Sequence, residues 1–288
     1  ASNDPHSPWT RGNRSLFDAE KLTLPPTLVD TKETRKNYAN YLAEINQLDT
    51  DVGKIDALIK KYNLDENTVF IFTSEQGHQF PFAKWTCYDA GVHSACIVRW
   101  PGVVKPGSVS DALVEYVDIV PTFVDIIGGK PQAKVDGESF KPVLTGKKKA
   151  HKKYSFSLQT TRGINAGSPY YGIRSVYDGR YRYIVNLTPE ATFQNVETKS
   201  PLFKEWKSLA ETDSHAKAMT TKYQHRPAIE LYDVKNDPYC MKNLAEDAKQ
   251  ASTISRLDKE LKRWMKDCGD EGQPTEMRAF EHMPGKRK

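Results

Sequence analysis

The sequence predicts an α/β protein, a sheet-and-helix core followed by a smaller α+β C-terminal subdomain with an antiparallel sheet and a helix. Three observations carry this. Through residues 31–62, Tyr38, Tyr41, Leu42, Ile45, Leu48, Val52, Ile55, Leu58 and Ile59 recur at spacings of three and four, one face of a long helix. Residues 68–73, Thr-Val-Phe-Ile-Phe-Thr, then form a short apolar run of the kind buried on both faces of a parallel sheet. Beyond the lysine-rich stretch at 147–153, the segments 154–159, 170–176 and 180–186 are short and β-rich, and Asp178-Gly179 signals a hairpin turn. A boundary is expected there, with 1–147 belonging to the core and 148–288 forming the C-terminal subdomain.

The other elements follow in order. Residues 1–30 are rich in Pro, Asn, Asp and Ser without periodicity and read as a loop over a surface. A strand is expected at 95–100, stopped by Pro101-Gly102, and a helix at 116–127, stopped by Gly128-Gly129. Residues 231–234 add a strand. Residues 247–266 read as an amphipathic helix with Ile254, Leu257, Leu261, Trp264 and Met265 on one face, and the tail after Gly269 as polar and irregular.

Composition bounds the function. A hydrophobic fraction of 38% excludes a disordered chain, and no run approaches the ~20 apolar residues of a membrane span. The formal charge of +5 suits an anionic ligand without establishing one, and no nucleic-acid partner is expected. Cys87, Cys96, Cys240 and Cys268 have no zinc-type spacing. Cys240 and Cys268 flank one predicted helix and are candidates for a bridge in an exported protein. Cys87 and Cys96 read as buried thiols.

Ligands of α/β sheets bind outside the carboxyl ends of strands, and Ser74, Glu75, Gln76 and His78 occupy that position after the strand at 68–73. A carboxylate followed by an amide oxygen suits a hard divalent cation, although a polar turn without metal has the same spacing. Lys84, framed by Phe82 and Trp85, either snorkels along apolar surface or holds an anionic group. His6 sits in a proline-stiffened loop, Asp4-Pro5-His6-Ser7-Pro8, as a candidate general acid or anion contact. Arg162, in Thr160-Thr161-Arg162-Gly163, is a candidate sulfate or carboxylate clamp.

Four blocks and a helix that precedes them, five motifs in order, resolve these alternatives. Phe72-Thr73-Ser74-Glu75-Gln76-Gly77, then Lys84-Trp85-Thr86, Tyr88 and Gly91-Val92, then Ile97-Val98-Arg99-Trp100-Pro101-Gly102 form the first string. Asp118-Ile119-Val120-Pro121-Thr122-Phe123 follows, then Asp136-Gly137 with Ser139-Phe140 and Pro142-Val143-Leu144-Thr145-Gly146. The last block runs from Glu230-Leu231-Tyr232-Asp233 to Asn243-Leu244-Ala245. With the helix carrying Asp49, Asp51-Val52-Gly53-Lys54-Ile55, they resemble the C-terminal half of the type I, formylglycine-dependent sulfatases. The string from Gln159-Thr160-Thr161 to Tyr183-Ile184 is similar to sulfamidase-like and other polysaccharide sulfatases.

The resemblance implies an alkaline-phosphatase-like fold, here without its N-terminal part, and an enzyme hydrolysing sulfate esters or sulfamates of sulfated glycans, exported to a periplasm or secreted. It implies a divalent cation, usually Ca2+, at an Asp-Asn or Asp-His pair where this chain has Glu75-Gln76. It makes Lys84 and His6 the catalytic sulfate-binding and leaving-group residues; Arg162 and His78, read from their own sequence contexts, are expected to contact substrate. Glu75 and Gln76 are each one methylene longer than the family's pair.

The family's nucleophile is a formylglycine made from the cysteine of a Cys-x-Pro-Ser-Arg motif, and none of the four cysteines has that context. The nucleophile is therefore expected on an N-terminal segment acting as covalent or separate partner, and residues 1–288 alone are expected to be inactive. The competing readings are a non-catalytic sulfated-glycan-binding homologue and a phosphatase or phosphonate hydrolase of the same superfamily.

Overall fold

The periodic segment forms α1 (Lys32–Lys61) in the computed structural model, which describes residues 2–130, 135–161, 164–279 and 281. Thr31 caps its start by accepting from the Thr34 amide at 3.1 Å, and Lys60 and Lys61 lie in the last turn, where cations complement the helix dipole. Buried Glu44 on α1 accepts from the amides of Thr10 at 2.6 Å and Arg11 at 3.0 Å. Gly12 is fixed by the same contact: its φ is +81°, and a Cβ there would lie 2.1 Å from the Ala43 carbonyl oxygen. The N-terminal segment is irregular as expected, yet it enters the core, because Trp9, Leu28 and Val29 are buried and Trp9 stacks on Phe80 at 4.7 Å.

The apolar run forms β1 (Phe70–Thr73) and the next strand β2 (Cys96–Arg99), but their pairing corrects the sequence reading. They pair antiparallel, Phe70 opposite Arg99 and Thr73 opposite Cys96, and no third strand joins them among the described residues. Neither strand is fully buried, so the apolar run reports the character of a sheet interior that these residues leave uncovered. The short helix α2 (Asp89–Val92) lies between the strands in the chain. The segment 116–127 divides into a 3₁₀ turn (Tyr116–Asp118) and α3 (Ile119–Ile126), with Gly128 in the left-handed region just past its end. Tyr116, Val120, Phe123 and Ile127 form an exposed stripe at helical spacing, and Ile97 on β2 is also exposed. Then α4 (Lys141–Leu144) leads out of this half.

The C-terminal sheet is antiparallel in the order β3 (Ser155–Gln159), β4 (Ile173–Tyr177), β5 (Tyr181–Asn186) and β6 (Ile229–Asp233). Alternation splits its side chains between two cores. Val176, Tyr183 and Leu231 pack with Leu257 and Leu261 of α7 (Ala251–Asp267), as the amphipathic pattern requires. Ile173, Ile184 and Tyr232 join Phe80, Phe82, Trp85 and Tyr88 in the larger core, which also takes residues of α5 (Pro201–Leu209) and α6 (Ser214–Gln224). The chain from 80 to 88 is thus clamped onto the sheet.

The tail is more ordered than its polarity predicts. It forms α8 (Gln273–Met277), because the buried guanidinium of Arg174 on β4 binds Asp270 and Glu276, and Glu276 also accepts from the Thr161 amide. The cysteine expectations are corrected in two places. All four thiols are free, with Cys240 buried and Cys268 exposed, so they do not form the bridge considered for an exported protein, and Cys96 is exposed rather than buried. Among the described residues no helix is long and apolar enough to cross a membrane.

Candidate active site

The site begins where β1 ends. Ser74 holds the strand end to β2's entry through two bonds with Ala95: its amide donates to the carbonyl at 3.2 Å and its Oγ accepts from the amide at 2.8 Å. Gly77 is pressed onto α2, where a Cβ would lie 1.7 Å from the Ala90 carbonyl oxygen. Between them Glu75 is exposed, and the Gln76 amide donates to its carboxylate at 3.3 Å. A carboxylate beside an amide oxygen has the hardness Ca2+ prefers, but that ion takes about six to eight oxygen donors. Among the described residues no group of three or more His, Cys, Asp or Glu side chains gathers to hold a metal. Glu75 and Gln76 suit a cation in kind and fall short in number, so among the described residues these two alone do not complete a site.

Lys84 is presented by a constrained turn. Its amide donates to the His78 carbonyl at 2.9 Å, and Thr86 Oγ1 donates to the Ala83 carbonyl at 2.7 Å. The flanking residues Phe82 and Trp85 have φ of +72° and +66°, a left-handed conformation that costs a bulky residue about 1–2 kcal/mol each. The core absorbs that cost: both rings are buried, and Phe82 packs on Tyr88 and Tyr223. The ammonium of Lys84 lies 5.1 Å from the Trp85 ring centroid, a cation–π contact that limits where the side chain can point.

The loop carrying His6 arrives from the other end of the sequence. Lys84 Nζ stands 3.3 Å from His6 Nε2, across 78 residues of chain. His6 Nδ1 is 2.6 Å from the Ser7 carbonyl, which can only accept, so Nδ1 carries a proton. An ammonium only donates, so Nε2 receives from Lys84, and His6 is the neutral tautomer with Nε2 facing the cation. Arg11 braces this loop by pairing with Asp4 at 2.5 Å, and the Arg11 amide is tied to Glu44 on α1. Lys84 and His6 together offer a cation and, beside it, a ring nitrogen able to accept a proton.

His78 has a different setting. It packs edge-on against Tyr41 and Phe80, and loss of hydration brings its pKa down to about 4. It is therefore neutral near pH 7, and any contact with an anion is a hydrogen bond rather than an ion pair. Arg162 lies outside the described residues.

Two neighbours were invisible to sequence spacing. The Gln79 amide donates to Glu197 Oε1 at 2.6 Å across 118 residues. Burial pushes the Glu197 carboxyl above its usual range, against the pull of Gln79, Ser200 and the Lys84 charge. Asp89, directly after the clamped segment, binds Arg182 of β5 at 2.7 Å and His93 at 3.0 Å. The Asp89–His93 contact is local, but no motif pairs Gln79 with Glu197 or Asp89 with Arg182; the docking of the two halves does.

Comparison with known proteins adds the following. Residues 2–129 match the Sulfatase family model, and residues 77–219 match the model described as N-sulphoglucosamine sulphohydrolase, C-terminal. The chain is 33% identical over 245 residues to an ulvan-active sulfatase of Formosa agariphila, covering 84% of this chain and 46% of the relative. It is 25% identical to human N-sulphoglucosamine sulphohydrolase, covering 91% of this chain and 53% of that one. A structure solved for Bacteroides thetaiotaomicron glycosaminoglycan metabolism superposes with a TM-score of 0.69 at 21% identity, covering 97% of this chain and 55% of that one. The fold is the one the sequence implied, and the chain spans about half the length of the curated relatives it matches.

Proposed function

Because the chain belongs to the sulfatase family and matches the C-terminal portion of its members, we propose that it is the part of a sulfated-glycan sulfatase that grips the sulfuryl group. The observation that carries this is the 3.3 Å approach of Lys84 to His6 on two separately braced loops. In this reading the Lys84 ammonium offsets charge on the sulfuryl oxygens, and His6 Nε2, free to take up a proton, delivers it to the leaving oxygen or nitrogen. His78 fixes the turn through its carbonyl and offers a neutral ring to substrate. Arg162 is proposed, from its sequence context alone, as a further clamp on a sulfate or carboxylate group.

Sulfatases in general employ a formylglycine nucleophile and a divalent metal. Glu75 and Gln76 would supply two oxygen donors to a cation, Ca2+ being the one their chemistry suits best. The rest of the site, with the nucleophile, belongs in this proposal to an N-terminal sulfatase segment, covalent or separate. The uncovered β1–β2 pair and the exposed Tyr116, Val120, Phe123 and Ile127 stripe support such a partner, since monomers rarely leave apolar patches of that kind open. Sulfated-glycan degradation outside the cytoplasm, periplasmic or secreted, is the setting proposed. By itself the chain is proposed to turn over no sulfate ester.

Calorimetric titration with a sulfated disaccharide and its unsulfated counterpart tests the grip. The sulfated ligand should bind preferentially, and Lys84→Ala should weaken it about tenfold or more, the worth of a hydrogen bond to a charged group. Equal binding of both sugars, or an unaltered Lys84→Ala variant, would remove the proposal.

A further inference from the structure

Glu197 is a buried carboxylate without an ion-pair partner among the described residues, held beside the Lys84 turn. Its own turn (Glu197–Lys199) is anchored to the core: Asn195 donates to the Tyr223 hydroxyl at 2.7 Å and accepts from the Thr198 amide at 3.1 Å, while the Val196 amide donates to the Asn165 carbonyl at 2.9 Å. A side chain so held cannot swing into solvent. Its carboxylate accepts from Gln79, which lies on the segment joining Glu75-Gln76 to Lys84. Gln79 directly follows His78, whose carbonyl accepts from the Lys84 amide at 2.9 Å, so the carboxylate is tied to the Lys84 turn. A structural bridge at this place needs only an acceptor, and a neutral amide would serve Gln79 equally well at a lower desolvation cost.

The retained negative charge therefore has its effect on what Lys84 binds. We infer that Glu197 is a positioning residue that sets the charge of the sulfate site: held to the Lys84 turn through Gln79, its carboxylate repels the bound dianion and keeps free sulfate, the expected product, from staying on Lys84 and His6. This rests on the proposed sulfate site and deepens it. An ester or sulfamate substrate carries one negative charge on its sulfuryl group and the released ion carries two, so the repulsion falls harder on the product than on the substrate.

The test is titration of the full chain with inorganic sulfate at low ionic strength, followed by the side-chain NMR signals of Lys84 and His6. Glu197→Gln keeps the shape and the acceptor for Gln79 and removes the charge, while the Ser200 hydroxyl, which can donate or accept, can turn to meet the new amide. It should bind sulfate about three- to tenfold more tightly than the native chain, the effect of one nearby charge in a partly hydrated site. Glu197→Asp, which keeps the charge, should stay near the native affinity. Should Glu197→Gln lose its native unfolding transition, Glu197→Ala carries the same expectation of tighter binding. Unchanged or weaker binding in the charge-free variants overturns the inference, because a merely structural role predicts that direction. Lys84→Ala separates the two claims: if it leaves sulfate affinity intact, the sulfate site falls and this inference falls with it. If Lys84→Ala weakens binding while the charge-free variants do not tighten it, only the inference is lost.

Discussion

Replacing Arg182 by Met should detach the Lys84 segment from the C-terminal sheet at a measurable cost. The Arg182 side chain is 4% exposed and the Asp89 side chain 10%, with 2.7 Å between Nη2 and Oδ1. Removing the guanidinium leaves the Asp89 carboxylate buried with only His93, itself largely exposed, as a charged partner. Breaking one side of a buried pair of this kind costs about 3–5 kcal/mol. The contact of the guanidinium over the Tyr177 ring, 4.7 Å from its centroid, is lost as well, although the methionine chain keeps part of the apolar packing. Urea unfolding followed by tryptophan fluorescence reads the loss. The double variant Asp89→Asn, Arg182→Met should recover part of it, since the orphaned charge is then gone. A single variant that costs less than about 1 kcal/mol, or a double variant no better than the single one, refutes the claim that this buried pair fastens the two halves.

The same cluster should give stability a pH dependence. Asp89 is held below its usual pKa by His93 and Arg182 against the opposing effect of burial, so its contribution is present above the ordinary carboxylate range and is lost as pH falls through the lower native value. His93 is raised by its bond to Asp89, so its contribution is complete below its ordinary value of 6.5 and disappears as pH rises through the higher native value. His93→Ala should therefore flatten the decline in melting temperature on the alkaline side of pH 6.5, and an unaltered profile would contradict this assignment. Leu257→Ala, which empties a fully buried position between α7 and the sheet, should cost about 2–5 kcal/mol in chemical denaturation, and a cost under 1 kcal/mol would show that this side of the sheet repacks.

Most of the elements were legible because their patterns are local. The helix at 31–62 was readable from its period and from Thr31 as cap, and the hairpin at Asp178-Gly179 from turn chemistry; both are set by neighbours a few residues away. Helices α5 and α6 carry cap signals too, Ser200 before Pro201 and Asp213 before Ser214, but they lie in a stretch of mixed polarity where the apolar period is weak. The parallel-sheet reading of β1 went astray because an apolar strand reports how it is to be covered and not which strand lies beside it. The tail after Gly269 looked irregular because α8 depends on Arg174, about a hundred residues earlier.

The candidate site divides in the same way. Glu75, Gln76 and Lys84 stand within ten residues and were found together, and His6 was found only through its motif. The contact between His6 and Lys84, the left-handed turn around Lys84, and the Gln79–Glu197 bond depend on tertiary packing and leave no trace in spacing. They are nevertheless what brings a lysine and a histidine together as a candidate site, since they fix where the two side chains stand.

The measurement that bears most directly on this is NMR observation of the Lys84 ammonium and the His6 ring nitrogens during titration with glucosamine 6-sulfate and, separately, with glucosamine. With the sulfated sugar both groups should shift together and saturate at one ligand concentration, while unsulfated sugar leaves them unmoved and Lys84→Ala abolishes the His6 response. Signals that ignore the sulfated sugar, or that respond equally to both sugars, would contradict a sulfuryl grip built from Lys84 and His6.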